Sequence, residues 1–160
     1  MTSIAYASLV FPNSGILHSS AEFDETEFDF RNIKNIYLGK KVLIVEDIPS
    51  NFQLLHAFLA PTGLTVIHEV DGEHAYAAFK RSPDFDLILM DIRLPDVSGL
   101  MITKMIRELS PDIPIIAQTA YALDADRYQC LEAGCNDYIA KPIRRNQLFR
   151  IVHKYLSWSC

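Results

Sequence analysis

The chain has 160 residues, of which 49% are apolar and 22% charged, and its formal net charge is −5. This length allows one globular domain with a full core and about forty further residues. The negative charge argues against nonspecific binding to a polyanion such as DNA. No apolar run approaches the roughly 20 residues that cross a membrane, and three cysteines without CxxC spacing favour reduced thiols. We therefore predict a cytoplasmic protein without direct nucleic-acid or membrane partners.

Residues 1–38 differ in composition from the rest of the chain. They mix Ser, Asn, Gly and Pro with an acidic, Phe-containing stretch at residues 21–30, which has neither a helical apolar stripe nor a long β run. We predict a poorly ordered extension over residues 1–38 and a single domain over residues 39–160. The alternative is a short segment, residues 28–38, that packs on the domain or on a neighbouring chain.

From Lys40 onward, short apolar runs alternate with helix-like stretches. The apolar runs predict strands at residues 41–45, 65–70, 86–91, 113–118 and 137–140. The intervening patterns predict helices at residues 49–59, 72–81, 99–110, 124–133 and 145–156, the first ended by Pro61-Thr62-Gly63 and the fourth by Gly134. Such alternation indicates right-handed βαβ units in an α/β fold, with a parallel sheet covered on both faces.

Polar side chains follow the apolar runs where each predicted strand ends. Glu46 and Asp47 come after the first strand, Asp91 ends the third, Thr119 follows the fourth and Lys141 the fifth. Ligands of open parallel sheets bind outside the carboxyl ends of the strands. Taken singly, each residue is more simply a turn or cap residue. The presence of all five at one edge predicts a functional site.

Three adjacent carboxylates repel one another and need a cation to coexist. Oxygen ligands with room for water suit Mg²⁺, which retains waters that a phosphate can replace. Lys141 adds a positive charge and Thr119 a hydroxyl donor. Together these groups supply a nucleophile, a metal and donors for the remaining charge, as phosphoryl transfer to a carboxylate requires.

These residues belong to four ordered motifs, which are Val45-Glu46-Asp47, Leu89-Met90-Asp91-Ile92-Arg93-Leu94-Pro95-Asp96-Val97-Ser98-Gly99, Ala117-Gln118-Thr119-Ala120 and Tyr138-Ile139-Ala140-Lys141-Pro142-Ile143. With these motifs the chain resembles the response-regulator receiver family over roughly Lys40 to Trp158. The resemblance implies a flavodoxin-like, doubly wound (βα)5 domain with a five-stranded parallel sheet in the order 2-1-3-4-5. The motif wording is closer to receivers of hybrid histidine kinases than to those of DNA-binding regulators.

The resemblance also implies roles for the residues at the predicted edge. Asp91 would accept the phosphoryl group and contribute to the metal site. Asp47 would bind Mg²⁺ directly and Glu46 through water, with the backbone carbonyl of Arg93 completing the protein ligands. The resemblance further implies that the domain is not a general enzyme, because it catalyses only its own phosphoryl transfer and dephosphorylation.

Further roles concern the phosphoryl oxygens, the switch and the partner. Thr119 and Lys141 would each bind a phosphoryl oxygen, and Tyr138 would swing inward when Thr119 moves. The Lys141–Pro142 peptide would be cis. The surface of Ile48, Pro49 and Phe52 would meet the phosphodonor, a histidine kinase or histidine-phosphotransfer domain, although Phe52 has an equal claim to the core.

Alternatives from other classes stay open. A phosphorylation-independent pseudo-receiver would keep the fold and act as a protein-binding module. A Mg²⁺-dependent aspartyl-phosphate phosphatase of the haloacid-dehalogenase type requires an Asp two residues after the nucleophile, where this chain has Arg93. A flavodoxin-like nucleotide binder wants small residues where Glu46 and Asp47 stand. The sequence does not identify the downstream partner, leaves homodimer formation open, and does not distinguish a stand-alone receiver, which Met1 mildly favours, from part of a larger kinase.

Overall fold

The computed structural model describes residues 32–120 and 124–157, without the side chains of residues 124–126. The strands are β1 Lys41–Val45, β2 Thr65–Glu69, β3 Leu87–Asp91, β4 Ile115–Thr119 and β5 Asp137–Ala140. The helices are α1 Pro49–Leu59, α2 Gly72–Arg81, α3 Gly99–Leu109, α4 Asp124–Ala133 and α5 Arg145–Leu156. Within these ranges no helix is both long and apolar enough to cross a membrane. The cytoplasmic location stays a prediction.

The five strands form one sheet in the order β2-β1-β3-β4-β5. Every neighbouring pair is parallel. The predicted fold class and strand order are therefore confirmed. Because all strands run the same way, their carboxyl ends lie at one edge of the sheet, which is called the C-terminal edge below.

The two faces of the sheet carry separate apolar layers. Alternate residues of β1 divide between them, so that Val42 and Ile44 belong to one layer and Leu43 and Val45 to the other. The first layer packs against α1 and α5, and the second against α2, α3 and α4. The near-continuous apolar strands thus reflect burial on both sides.

Element boundaries differ from the predictions mainly at β4. The structure starts this strand at Ile115 rather than at residue 113, and ends it at Thr119 rather than just before it. Pro114 has no N–H to donate to the ladder, although its carbonyl accepts from the Ile88 N–H at 2.9 Å. After α1 the chain continues as a short 3-10 helix, Ala60–Thr62, which contains Pro61 and ends at Gly63.

The segment before β1 packs on the domain from Ile33 onward. Ile33 and Tyr37 are buried, and the Tyr37 hydroxyl lies 2.8 Å from His153 Nδ1 on α5. The Asn35 and Tyr37 N–H groups donate to the carbonyls of Pro61 and Thr62, at 3.0 and 2.9 Å. Residues 1–31 lie outside the described part of the chain, so the limits 1–38 and 39–160 stay a prediction.

Candidate functional site

Three carboxylates meet at the C-terminal edge of the sheet. Glu46 and Asp47 follow β1, and Asp91 ends β3, the neighbouring strand. One oxygen from each lies within 4.8 Å of the others. Glu46 and Asp91 are 0% and 4% exposed, whereas Asp47 is half-buried. A partly open set of carboxylate oxygens fits a hard divalent cation such as Mg²⁺.

The Lys141 ammonium lies between two of these carboxylates. Lys141 Nζ is 2.6 Å from Glu46 Oε2 and 2.5 Å from Asp91 Oδ2. Burial by itself lowers the pKa of Lys141, but the hydrogen bonds to Asp91 and Glu46 outweigh it and hold the pKa above its usual value. Three carboxylates and one ammonium leave a formal charge of −2 at the site, which a divalent cation balances.

The backbone of the loop after β3 also reaches the Asp91 carboxylate. The Arg93 N–H donates to Asp91 Oδ1 at 2.9 Å. The Asp91 oxygens therefore have different partners, the Arg93 N–H on Oδ1 and the Lys141 ammonium on Oδ2. The carboxylate is oriented from two sides before any ligand binds.

Glu46 is held by contacts that sequence reasoning missed. Asn51 Nδ2 donates to Glu46 Oε1 at 2.9 Å, and the Ile48 N–H donates to the same oxygen at 3.3 Å. His68 Nε2 lies 2.9 Å from the Glu46 carbonyl oxygen, which can only accept, so Nε2 carries the hydrogen. The contact of Asn51 could have been predicted from its place in the first turn of α1, next to the loop that holds Glu46. No local sequence pattern predicts that His68 on β2 contacts Glu46.

The remaining predicted site residues lie on β4, on β5 and in the loop after β5. Thr119 is buried at the end of β4, and its carbonyl accepts from the Lys141 N–H at 2.7 Å. The Lys141–Pro142 peptide is cis. Tyr138 on β5 is half-buried, with the Arg127 guanidinium 5.8 Å from its ring centre. In register, Tyr138 pairs with Ala117, two residues before Thr119.

An apolar surface borders the carboxylates on the α1 side. Ile48 is 47% exposed and Pro49 is exposed. Phe52 is half-buried, and its ring stacks on the His68 ring at a centroid distance of 3.6 Å. Beside them is a groove, called the α1 groove below, lined by Asn51, Leu54, Leu55, Lys141, Pro142 and Ile143.

Comparison of the chain with known sequences gives a consistent result. The model of the response regulator receiver domain matches residues 42–153. A polar-differentiation response regulator, DivK of Brucella ovis, is 39% identical over 121 residues, which are 74% of this chain and 98% of the relative. Hybrid signal transduction histidine kinase L of Dictyostelium discoideum is 36% identical over 122 residues, which are 72% of this chain but 7% of that kinase.

Solved structures give the same match. The receiver domain of sensor histidine kinase PA1611 from Pseudomonas aeruginosa, with a magnesium ion coordinated in its active site cleft, has a TM-score of 0.69 and 42% identity. The match covers 74% of this chain and 98% of that one. Another match is the receiver domain of Ssk1 from Saccharomyces cerevisiae, which was crystallised with the histidine phosphotransfer protein Ypd1. It has a TM-score of 0.66 and 31% identity, and the match covers 76% of this chain and 89% of that one.

Proposed function

Because the chain belongs to the response regulator receiver family, we propose that Asp91 accepts a phosphoryl group from a phosphohistidine on a histidine kinase or histidine-phosphotransfer domain. The domain catalyses only this transfer and the later loss of the phosphoryl group. Its output is a change in a protein-interaction surface. The chain spans only 7% of each of two hybrid histidine kinases of Dictyostelium discoideum that it matches. The role of any larger protein is therefore part of the proposal.

Asp91 is the proposed nucleophile. In the transfer, the P–N bond to the donor imidazole breaks, the imidazole keeps the electron pair, and a P–O bond to an Asp91 oxygen forms. The Arg93 N–H and the Lys141 ammonium orient the carboxylate by hydrogen bonds of 2.9 and 2.5 Å. A fixed carboxylate loses little conformational freedom when the phosphorus approaches.

Glu46, Asp47 and Asp91 are the proposed holders of Mg²⁺, together with the backbone carbonyl of Arg93. Support comes from the oxygens that lie within 4.8 Å of one another and from the magnesium ion in the PA1611 receiver. A bound Mg²⁺ supplies charge neutralisation for the incoming phosphoryl oxygens. Asn51 and the Ile48 N–H keep Glu46 directed into the cluster.

Lys141 and Thr119 are the proposed partners of the phosphoryl oxygens, and Tyr138 responds to the movement of Thr119. Lys141 already contacts the Asp91 carboxylate, so after transfer its ammonium would bind a phosphoryl oxygen in place of that carboxylate oxygen. Thr119 is joined to Lys141 through its carbonyl. Displacement of one of these residues therefore bears on the other. A phosphoryl group shifts the conformations only by its differential interaction with them.

Ile48, Pro49 and Phe52 are the proposed docking residues for the phosphodonor. They border the carboxylates at the start of α1, and the apolar exposure of Ile48 fits a protein contact. The complex of the Ssk1 receiver with Ypd1 supports a phosphotransfer protein as one class of donor.

The observation that carries the proposal is the convergence of three carboxylates with Lys141 Nζ, 2.5 Å from Asp91 Oδ2. Incubation with Mg²⁺ and acetyl phosphate should add one acid-stable, hydroxylamine-labile phosphoryl group to each chain, detectable by intact-mass spectrometry. Chelation by EDTA and the substitution Asp91→Asn should each abolish it.

The matched control is Asp112→Asn, which changes an exposed aspartate before β4, at the opposite edge of the sheet. It should label like the parent. Failure of the folded parent to label with any donor would contradict the proposal and favour the pseudo-receiver. Release of many phosphates per chain from a phosphoester would instead favour the phosphatase.

A further inference from the structure

Helix α5 begins with two arginines, where a different residue type is favoured. Arg144 is the N-cap, Arg145 opens the helix, no side chain caps it, and its first turn contains no acid. N-caps favour Ser, Thr, Asp or Asn, and the positive end of the helix dipole disfavours cations. Both arginines are exposed, so core packing does not require them. A break with local preference of this kind is expected at functional positions.

The intramolecular contacts account for one arginine only. The Arg145 guanidinium lies 5.5 Å from the centre of the Phe149 ring, one turn along the same helix. Arg144 forms no ion pair within the described residues. Its positive charge is therefore available to a partner molecule.

The two arginines stand at the border of the α1 groove. Pro142 and Ile143 form one side of the groove, and Arg144 and Arg145 follow directly in the chain. The opposite side is α1, whose eleven residues include no Asp, Glu, Lys or Arg. Leu54 on α1 is 42% exposed. An uncharged, partly apolar centre with charged residues at its rim is the arrangement found in protein interfaces.

The charge at this rim is opposite to that of the chain as a whole, which is −5. Of the nearby carboxylates, Glu46 and Asp91 are buried and paired with Lys141, and Asp47 is half-buried within the carboxylate cluster that is the proposed Mg²⁺ site. We propose that Arg144 and Arg145 select a phosphodonor protein whose surface around its phosphohistidine is apolar and is bordered by Asp or Glu. This inference rests on the proposed function and adds the charge character of the donor to it.

The test measures transfer from phosphorylated Ypd1 under second-order conditions, by rapid quench, at 0.05 M and 0.5 M NaCl. Reversal of both charges, in Arg144→Glu/Arg145→Glu, should lower the transfer rate constant about tenfold at low salt. The difference should shrink to less than about twofold at high salt, where charges are screened within a few ångströms. The melting temperature should not fall, because acids suit the start of a helix.

A matched control reverses two exposed, adjacent cations on another helix, in Lys80→Glu/Arg81→Glu. These residues form the end of α2. The chain passes from there to the start of β3, so both residues lie at the edge of the sheet opposite the site. The net charge changes equally, and transfer should stay within about twofold of the parent. A donor variant in which every Asp and Glu that borders the phosphohistidine is changed to Asn or Gln should react equally with the parent and the charge-reversed receiver.

The outcomes separate this inference from the proposed function. If acetyl phosphate labels every form at the same rate and Ypd1 transfer is indifferent to Arg144 and Arg145, the inference is wrong and the phosphoacceptor proposal stands. The inference would also be wrong if phosphorylated Ypd1 did not transfer its phosphoryl group to a parent protein that acetyl phosphate labels. If acetyl phosphate does not label the parent, the proposed function itself fails.

Discussion

At the residue scale, the contacts of Lys141 bear on stability as well as on chemistry. Its ammonium is the cation within 2.6 Å of both Glu46 and Asp91, and those carboxylates are almost fully buried. Removing one partner of a buried ion pair leaves uncompensated charge, which costs about 3 kcal/mol or more. Lys141→Met should therefore lower the free energy of unfolding by about 3 kcal/mol in EDTA, measured by urea denaturation.

Mg²⁺ should restore part of the loss, because a divalent cation neutralises the same carboxylates. The control Lys104→Met changes an exposed lysine on α3 and should stay within about 0.5 kcal/mol of the parent. A Lys141→Met variant as stable as the parent in EDTA would show that the ammonium does not stabilise the buried acids.

Gln118 is a second residue whose environment predicts a measurable effect. It is 0% exposed in β4, directly before Thr119, and neither amide atom of its side chain has a hydrogen-bond partner among the described residues. An unsatisfied buried polar group costs about 1–3 kcal/mol. Gln118→Met, which keeps the length of the side chain, should raise the free energy of unfolding by about 1 kcal/mol.

Gln147→Met supplies the comparison for this prediction, since Gln147 is an exposed residue of α5. Its effect should stay within about 0.5 kcal/mol. If Gln118→Met lowers stability instead, the amide has a partner that stabilises the fold.

At the element scale, the start of α3 determines where the acceptor stands. A Cβ added to Gly99 would lie 2.0 Å from the Asp91 carbonyl oxygen. The Gly99 N–H donates to the Ile92 carbonyl at 3.2 Å, so helix and strand meet backbone to backbone. Gly99→Ala must push α3 away from β3. It should cost about 2–3 kcal/mol of stability and slow the labelling of Asp91 by acetyl phosphate.

The control for this prediction is Gly39→Ala, where no atom of the described residues other than the adjacent ones lies within 4 Å of the added Cβ. Its positive φ of +86° alone should cost about 1 kcal/mol. Labelling should proceed at the parental rate. Unchanged labelling of a destabilised Gly99→Ala variant would separate the position of α3 from the chemistry.

Helix ends could be predicted where a local interaction sets them, as α4 illustrates. The sequence predicts its end at Gly134, and the helix does end at Ala133. The Gly134 and Cys135 N–H groups then bond the Leu131 and Cys130 carbonyls, at 3.0 and 2.9 Å. The start of β4 was predicted two residues early, because it depends on pairing with β3 and not on apolar character alone.

At the scale of the whole molecule, the segment before β1 supports the domain from the edge opposite the site. Tyr37 is 4% exposed in the layer formed with α1 and α5. Loss of a large buried aromatic side chain costs about 3–5 kcal/mol. Tyr37→Ala should therefore lower the free energy of unfolding by about 3 kcal/mol, while labelling of Asp91 below the transition stays at the parental rate.

Ile36→Ala is the matched change, because Ile36 belongs to the same segment but is 40% exposed. It should cost less than about 1 kcal/mol. Slower labelling in Tyr37→Ala, under conditions where the domain is folded, would show that this segment is coupled to the site across the sheet.

The alternation of apolar runs and helical patterns by itself determined the fold class and the edge at which Glu46, Asp47, Asp91, Thr119 and Lys141 lie. Parallel strands joined by helices have no other arrangement of their carboxyl ends. Only the tertiary structure decided the pairing of Lys141 with Glu46, which are 95 residues apart in sequence. It also decided the contact of His68 with Glu46, the burial of Gln118 and the packing of Tyr37. These features depend on strand register and on helices meeting across the sheet, which local patterns do not encode.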